Sequence, residues 1–259
     1  MASRAPLTSK ASLYWSETEF ARRIALARQD GGDEEHGKPH ALRLLAELDI
    51  LAEPARRMVR KLDVSASKTP RTVMILPGFA ARPQKLRYLS RQLERAGHEA
   101  KRWGLEGRNW GPTPERFAQL EQRLLDLHQR KGEKVVLLGW SLGGLFGREL
   151  AHRHPHAVAK VITMGSPFSG SPRANNVWRV YQFITGHRVD CPPIDADMKA
   201  KPPVETVAIW SPYDSAIAPR CAAGLPGERD RAIAVRCTHM GFTYAPEVIQ
   251  TVLAELERG

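Results

Sequence analysis

The chain has 259 residues, 42% of them apolar, and 39 Lys and Arg against 28 Asp and Glu give it a net charge of +11. That composition excludes a wholly disordered chain and is ample for the core of one large α/β domain or two small ones. No apolar run approaches the roughly 18 residues of a membrane span, and Met1 to Trp15 lack the long apolar stretch of a secretory signal, so a cytoplasmic protein is expected.

Residues 1–67 read as an N-terminal helical extension, charged and ending in the polar stretch Ser65 to Pro70. Within it Leu44, Leu45, Leu48, Leu51, Ala55, Met58, Val59 and Leu62 recur at helical spacing, and Pro54 kinks the helix or starts a second one. Arg43, Arg56, Arg57, Arg60 and Lys61 interleave with them, a basic amphipathic pattern suited to peripheral contact with a membrane. Packing of the apolar stripe on the following domain is the favoured expectation. Elsewhere the basic residues are dispersed and no nucleic-acid motif accompanies them, which reads as a solvated surface and not as a nucleic-acid footprint.

Residues 68–259 alternate short β-rich runs with longer helical patterns, the signature of βαβ units and a mostly parallel sheet with helices on both faces. The spacing predicts six strands: Thr72–Leu76, Glu99–Trp103, Val135–Leu138, Val158–Met164, Thr206–Trp210 and Ile233–Cys237. The charged run at Glu99 belongs at an edge. Helices are expected over Gln84–Ala96, Pro114–Arg130 and Pro246–Leu256, the second with Thr113 as N-cap, Pro114 at its first position, and Phe117, Leu120, Leu124 and Leu127 on one face. Residues 167–203 fit neither pattern and read as a small cap insertion, with Val177–Ile184 a short aromatic helix.

The chemistry is carried by Gly139-Trp140-Ser141-Leu142-Gly143-Gly144, which follows a strand and opens a helix, the context a G-x-S-x-G nucleophile elbow requires. Such a serine sits on a strained turn with its hydroxyl exposed, so its neighbours must be glycine for strand and helix to approach closely. A serine hydroxyl also needs a histidine base, and that histidine a carboxylate to fix its tautomer and stabilise its charged form. Asp214 and His239 each follow a strand and fall on the edge of the sheet where ligands bind, in the chain order Ser, acid, His. Asp195 or Asp197, in the cap, is the fallback acid. The oxyanion of a tetrahedral intermediate needs two backbone N–H donors, for which Leu142 and Phe79 are the candidates, the latter placed by the Pro77-Gly78 turn.

Through Pro77-Gly78-Phe79, the Ser141 elbow, Gly165-Ser166-Pro167, Asp214 and His239, the chain from Arg71 onward resembles the esterase and lipase-like branch of the α/β-hydrolase superfamily. Trp103-Gly104-Leu105 through Gly111-Pro112 is similar to bacterial hydrolase-like proteins of that superfamily. The oxyanion loop of many lipases begins His-Gly, whereas Pro77 precedes Gly78 here, a departure that alters the loop's outer wall and spares the backbone donor.

The resemblance implies an ester substrate, an acyl-enzyme on Ser141 and a pocket under an apolar cap, with Trp140, Trp178, Tyr181 and Phe183 as candidate substrate contacts. Acyl transfer or thioester hydrolysis with the same triad, and a non-catalytic binding protein of the same fold, are the alternatives. No cofactor is called for: the glycines of Gly139–Gly144 are not in dinucleotide-binding register. His152, His154 and His156 read as cations at a helix C-terminus and not as metal ligands. Arg108 and Asn109, in a Gly-rich loop, are read equally as substrate contacts near the pocket mouth or as loop structure. Cys191, Cys221 and Cys237 are expected as reduced buried thiols, although Cys191 and Cys221 could meet across the loop between them. Oligomeric state is not legible.

Overall fold

A computed structural model describes residues 17–32, 37–59 and 62–258, without the side chains of residues 57–59. Met1 to Trp15, Arg60 and Lys61, and the side chains of Arg57, Met58 and Val59, lie outside the described residues.

Six strands form one parallel sheet in the spatial order β2-β1-β3-β4-β5-β6. They are β1 (Thr72–Leu76), β2 (Glu99–Arg102), β3 (Val135–Trp140), β4 (Val158–Met164), β5 (Glu205–Trp210) and β6 (Arg231–Ala234). The inner strands are continuous apolar runs because helices cover both faces. Successive residues of β1 alternate between these faces: Val73 and Ile75 pack with α3 (Arg87–Arg95) and α8 (Pro246–Glu257), Met74 and Leu76 with α4 (Pro114–Lys131) and α5 (Leu142–Arg153). Each of the many fully buried leucines contributes about 1.5–3 kcal/mol relative to exposure. The charged β2 takes an edge, as its sequence demands. α4 begins as expected: Thr113 Oγ1 accepts from the Arg116 N–H at 3.2 Å, and Pro114 takes the first helical position.

Several boundaries differ from the sequence expectation, β3 for one running on past Leu138 to Trp140. β6 spans Arg231–Ala234 and not Ile233–Cys237, because after the Val235 N–H bond to Trp210 the polar groups of Cys237 leave the ladder for the Ser211 hydroxyl. The helix expected over Gln84–Ala96 opens as a 3-10 turn, Pro83–Leu86, before α3. The aromatic cap helix is α6 (Trp178–Thr185), and a short α7 (Pro219–Ala223) follows the loop after β5.

The largest correction concerns the extension. It comprises α1 (Glu17–Ala27), a 3-10 helix over Ala41–Ala52, and α2 (Glu53–Val59). A 3-10 helix repeats every three residues, so Leu42, Leu45, Leu48 and Leu51 form one row, and these are 67%, 64%, 60% and 77% exposed. The row holding Leu44, Glu47 and Ile50 faces the domain. The apolar stripe therefore does not pack on the domain as a whole; Leu62 is buried, whereas Leu44 is 39% exposed. α1 instead reaches the cap, where Arg23 donates to the Phe183 carbonyl at 3.1 Å and the Phe20 and Phe183 rings meet edge-on at 6.0 Å. Among the described residues no helix is long and apolar enough to cross a membrane.

Replacing Leu45, Leu48 and Leu51 together by Gln is expected to leave the unfolding free energy within about 0.5 kcal/mol per site, as for other surface substitutions. Chemical denaturation measures it, and a loss of several kcal/mol would mean that this row is covered.

Candidate active site

Ser141 sits between β3 and α5 with φ 53° and ψ −122°. Among the described residues it and Ala80 (φ 57°) are the two non-glycines at positive φ, a conformation that a side chain adopts only when its surroundings impose it. Those surroundings are glycine contacts. A β-carbon on Gly139 would overlap the Gly143 carbonyl and Gly144, one on Gly143 would overlap the Leu76 carbonyl, and one on Gly144 the Ser166 hydroxyl. One on Gly78 would lie 3.2 Å from the Ser141 β-carbon. The G-x-S-x-G-G spacing thus records two contacts with main-chain atoms and one with the Ser166 side chain that hold the serine at the head of α5, where the N–H of Leu142, the first helical residue, lies outside the intrahelical ladder.

Asp214 follows β5 and is fully buried. Its Oδ1 accepts from the N–H groups of Ala216 and Ile217, both at 2.9 Å, and its Oδ2 lies 3.0 Å from His239 Nδ1. Gly165, at φ 56°, leaves room for it: a β-carbon there would come within 3.0 Å of Oδ2 and 2.6 Å of the Phe242 ring. Of the two fallback acids, Asp197 is otherwise engaged: its Oδ1 accepts from the N–H groups of Lys199 and Ala200 at 3.0 and 3.1 Å.

His239 is 8% exposed and lies between the Trp140 and Phe242 rings, 5.6 and 6.2 Å away between centroids. Burial lowers its pKa, but the charge and hydrogen bond of Asp214, with the charge of Glu47, more than offset this and leave it above the ordinary imidazole value. The Trp140 indole N–H donates to the His239 carbonyl at 3.1 Å.

Ser141, Leu142 and Phe79 line one cavity of about 260 Å³, closed by Trp178 and Tyr181 of the cap helix. Trp140 and Phe183 are not among its lining residues: the first holds His239, the second packs on α1. Arg108 and Asn109 resolve as loop structure. Asn109 is fully buried; its amide donates to the Pro77 carbonyl at 2.7 Å, its carbonyl accepts from the Ala80 N–H at 2.7 Å, and its N–H donates to Ala81. Arg108 donates to the Ala80 carbonyl at 2.9 Å. Together they brace the strained loop that carries Phe79. Their position between glycines was visible in the sequence; the loop they would bind was not.

The histidines at the end of α5 find separate partners, His152 the Ala200 carbonyl at 2.9 Å and His154 the Glu121 carboxylate at 3.1 Å. All three cysteines are free thiols, and Cys191 is exposed, contrary to the expectation of burial.

Asn109→Ala strips the Pro77 carbonyl of its buried partner, which is expected to cost about 1–3 kcal/mol. It should also slow labelling of Ser141 by a fluorophosphonate. Calorimetry and labelling kinetics together test it; an unchanged labelling rate would remove Asn109 from the support of the Phe79 loop.

Residues 72–183 match the family model of the alpha/beta hydrolase fold. A pimeloyl-[acyl-carrier protein] methyl ester esterase of Aromatoleum aromaticum is 50% identical over 34 residues, 13% of this chain and 14% of that protein. Among solved structures, the Aspergillus fumigatus lipase B has a TM-score of 0.57 at 15% identity, covering 74% of this chain and 53% of its own. The Bacillus licheniformis lipase BlEst2 has a TM-score of 0.55 at 15% identity, covering 74% and 96%. At such identities the structural likeness is one of fold.

Proposed function

We propose that this chain, an esterase-like protein of the α/β-hydrolase superfamily, hydrolyses carboxylic esters through an acyl-enzyme on Ser141. The observation that carries the reading is that a serine forced to φ 53° opens into an apolar cavity, while Asp214 and His239 are joined at 3.0 Å on the same edge of the sheet.

Ser141 Oγ attacks the ester carbonyl as His239 Nε2 accepts its proton, and the Leu142 and Phe79 N–H groups receive the developing oxyanion. His239 then returns the proton to the leaving alcohol. Water, activated by the same imidazole, releases the acid and restores Ser141. Asp214 accepts a hydrogen bond from Nδ1–H throughout, so that Nε2 is the basic nitrogen, and it stabilises the imidazolium in each transition state. The mostly apolar wall, with Phe168 and Trp178 beside Tyr181, suits an apolar acyl or alcohol part. The short match to a methyl ester esterase is in keeping with ester chemistry. The exposed leucine row beside Arg43 supports peripheral contact with a membrane as part of the same proposal.

Ser141→Ala is expected to abolish hydrolysis of nitrophenyl esters with folding intact, and Asp214→Asn to lower turnover by up to about 10⁴-fold with little change in substrate affinity. Asp195→Asn and Asp197→Asn should match the parent. If Ser141→Ala keeps most of its activity, or if Asp197→Asn is dead while Asp214→Asn is not, the triad is wrong.

The base must be neutral to act, and its pKa is raised, so activity is lost as pH falls through a value above the ordinary imidazole pKa of about 6.5. The acid limb of kcat/KM measures this directly; a limb at or below the ordinary value would contradict the environment described for His239.

A further inference from the structure

The extension places one carboxylate where it touches both loops that carry the acid and the base. Glu47 lies on the inner row of the 3-10 helix Ala41–Ala52. Its Oε1 accepts the His239 N–H at 2.8 Å, and its Oε2 accepts the Met240 N–H, also at 2.8 Å. The Ser215 hydroxyl, on the fully buried residue that follows Asp214, donates to Oε1 as well. These are the first N–H groups of the short helix Met240–Thr243, which begins at His239. Charge-assisted bonds of this kind are roughly twice as strong as neutral ones. The helix is itself anchored on the acid side, where Arg43 donates to the Pro212 carbonyl at 3.3 Å. Next to it, the Asn176 amide donates to the Pro39 and Ser215 carbonyls at 2.9 and 2.7 Å.

We propose that Glu47 is a positioning residue for the base: by clamping the His239 turn to the Asp214 loop, its carboxylate fixes the imidazole in line with Asp214 and Ser141. The proposal rests on the triad reading above. It assigns to residues before the sheet a part in the chemistry, where the sequence offered only a helical extension.

The surroundings of His239 fit this role. From the β5 side it faces Asp214, from the 3-10 helix Glu47; Trp140 from β3 and Phe242 from its own turn are uncharged. Cys237 and Tyr244, the other titratable groups near Glu47, both have raised pKa values and are neutral where the enzyme would work: burial acts first, with the neighbouring carboxylates adding to it. The Glu47 carboxylate thus lies behind the imidazole and is one of the causes that raise the His239 pKa. Gln at this position keeps the size, but it loses the charge and presents an amide NH₂ to one of the two N–H donors.

The test compares Glu47→Gln, Glu47→Asp and Ser141→Ala with the parent, in the full chain. For Glu47→Gln the expected result is a kcat lower by about tenfold to a hundredfold, as for misplacement of a reacting group by a fraction of an ångström to one ångström. KM for a nitrophenyl ester should stay within about twofold, because the cavity wall is untouched. The acid limb of kcat/KM should move to lower pH, since the folded-state pKa of His239 loses a raising charge. Glu47→Asp keeps the charge and shortens the reach, so its kcat falls while its acid limb stays near that of the parent. A merely structural role predicts lower thermal stability with kcat per folded molecule and acid limb unchanged, and that result overturns the proposal. Should Glu47→Gln fold poorly, the His239 imidazole is followed by NMR in the Ser141→Ala background, with and without Glu47→Asp: its titration midpoint stays near the parent's while its ring chemical shifts move, and unmoved ring shifts also overturn the proposal. Retained ester hydrolysis by Ser141→Ala alone would instead sink the triad, a failure recognisably separate from that of Glu47.

Discussion

Everything at this edge of the sheet depends on how closely the β3–α5 turn approaches β1. A β-carbon at Gly143 would overlap the Leu76 carbonyl, and one at Gly139 the backbone of Gly143 and Gly144. With hydrogens there, helix and strands close until Ser141 has no conformation left but positive φ, and the packing of α5 on the sheet sustains the strain. The same approach brings Gly78 against Trp140 and the Ser141 β-carbon, so the loop carrying Phe79 is located by the turn it faces. Asn109 and Arg108 then hold that loop from outside, and Ala80 takes up its strain at φ 57°.

The electrostatics follow from burial. A carboxylate removed from water is stable only if its oxygens are satisfied, and Asp214 meets that condition with two backbone N–H groups and the His239 ring. The imidazole is buried too, and burial alone would make it a poorer base. The neighbouring carboxylates reverse the sign and favour the charged imidazole.

Much of this was legible in the sequence where the signal is local or periodic. Alternation and continuous apolar runs gave five of the strands within a few residues, Thr113-Pro114 marked the start of α4, and the charged Glu99 run marked an edge strand. The tight turn between β3 and α5 was legible because glycines at fixed offsets are themselves the record of a contact. What escaped was held by single side-chain to backbone bonds between distant residues, which leave no period. Ser211 ends β6 across 26 residues, and Asn109 reaches Pro77 across 32. Glu47 meets His239 across 192 residues, as one charged residue in a charged segment. The leucine stripe was misassigned for a different reason: its spacing fits a 3.6-residue repeat and a 3-residue repeat alike over two turns, and the two put different residues on the inner face.

The two halves of the site are therefore built with unequal stiffness. Ser141 is fixed by the close approach of Gly139 and Gly143 to main-chain atoms of α5 and β1, and the Phe79 loop by Gly78 against Trp140 and Ser141 and by the hydrogen bonds of Asn109 and Arg108. His239 hangs on a turn outside the last strand, held by Asp214, Trp140 and a carboxylate from a 3-10 helix whose outer row is open to solvent. Steric contacts rise steeply in energy over tenths of an ångström, whereas hydrogen bonds to an exposed segment weaken gradually and compete with water. Local opening of the extension would thus free His239 before it disturbed Ser141.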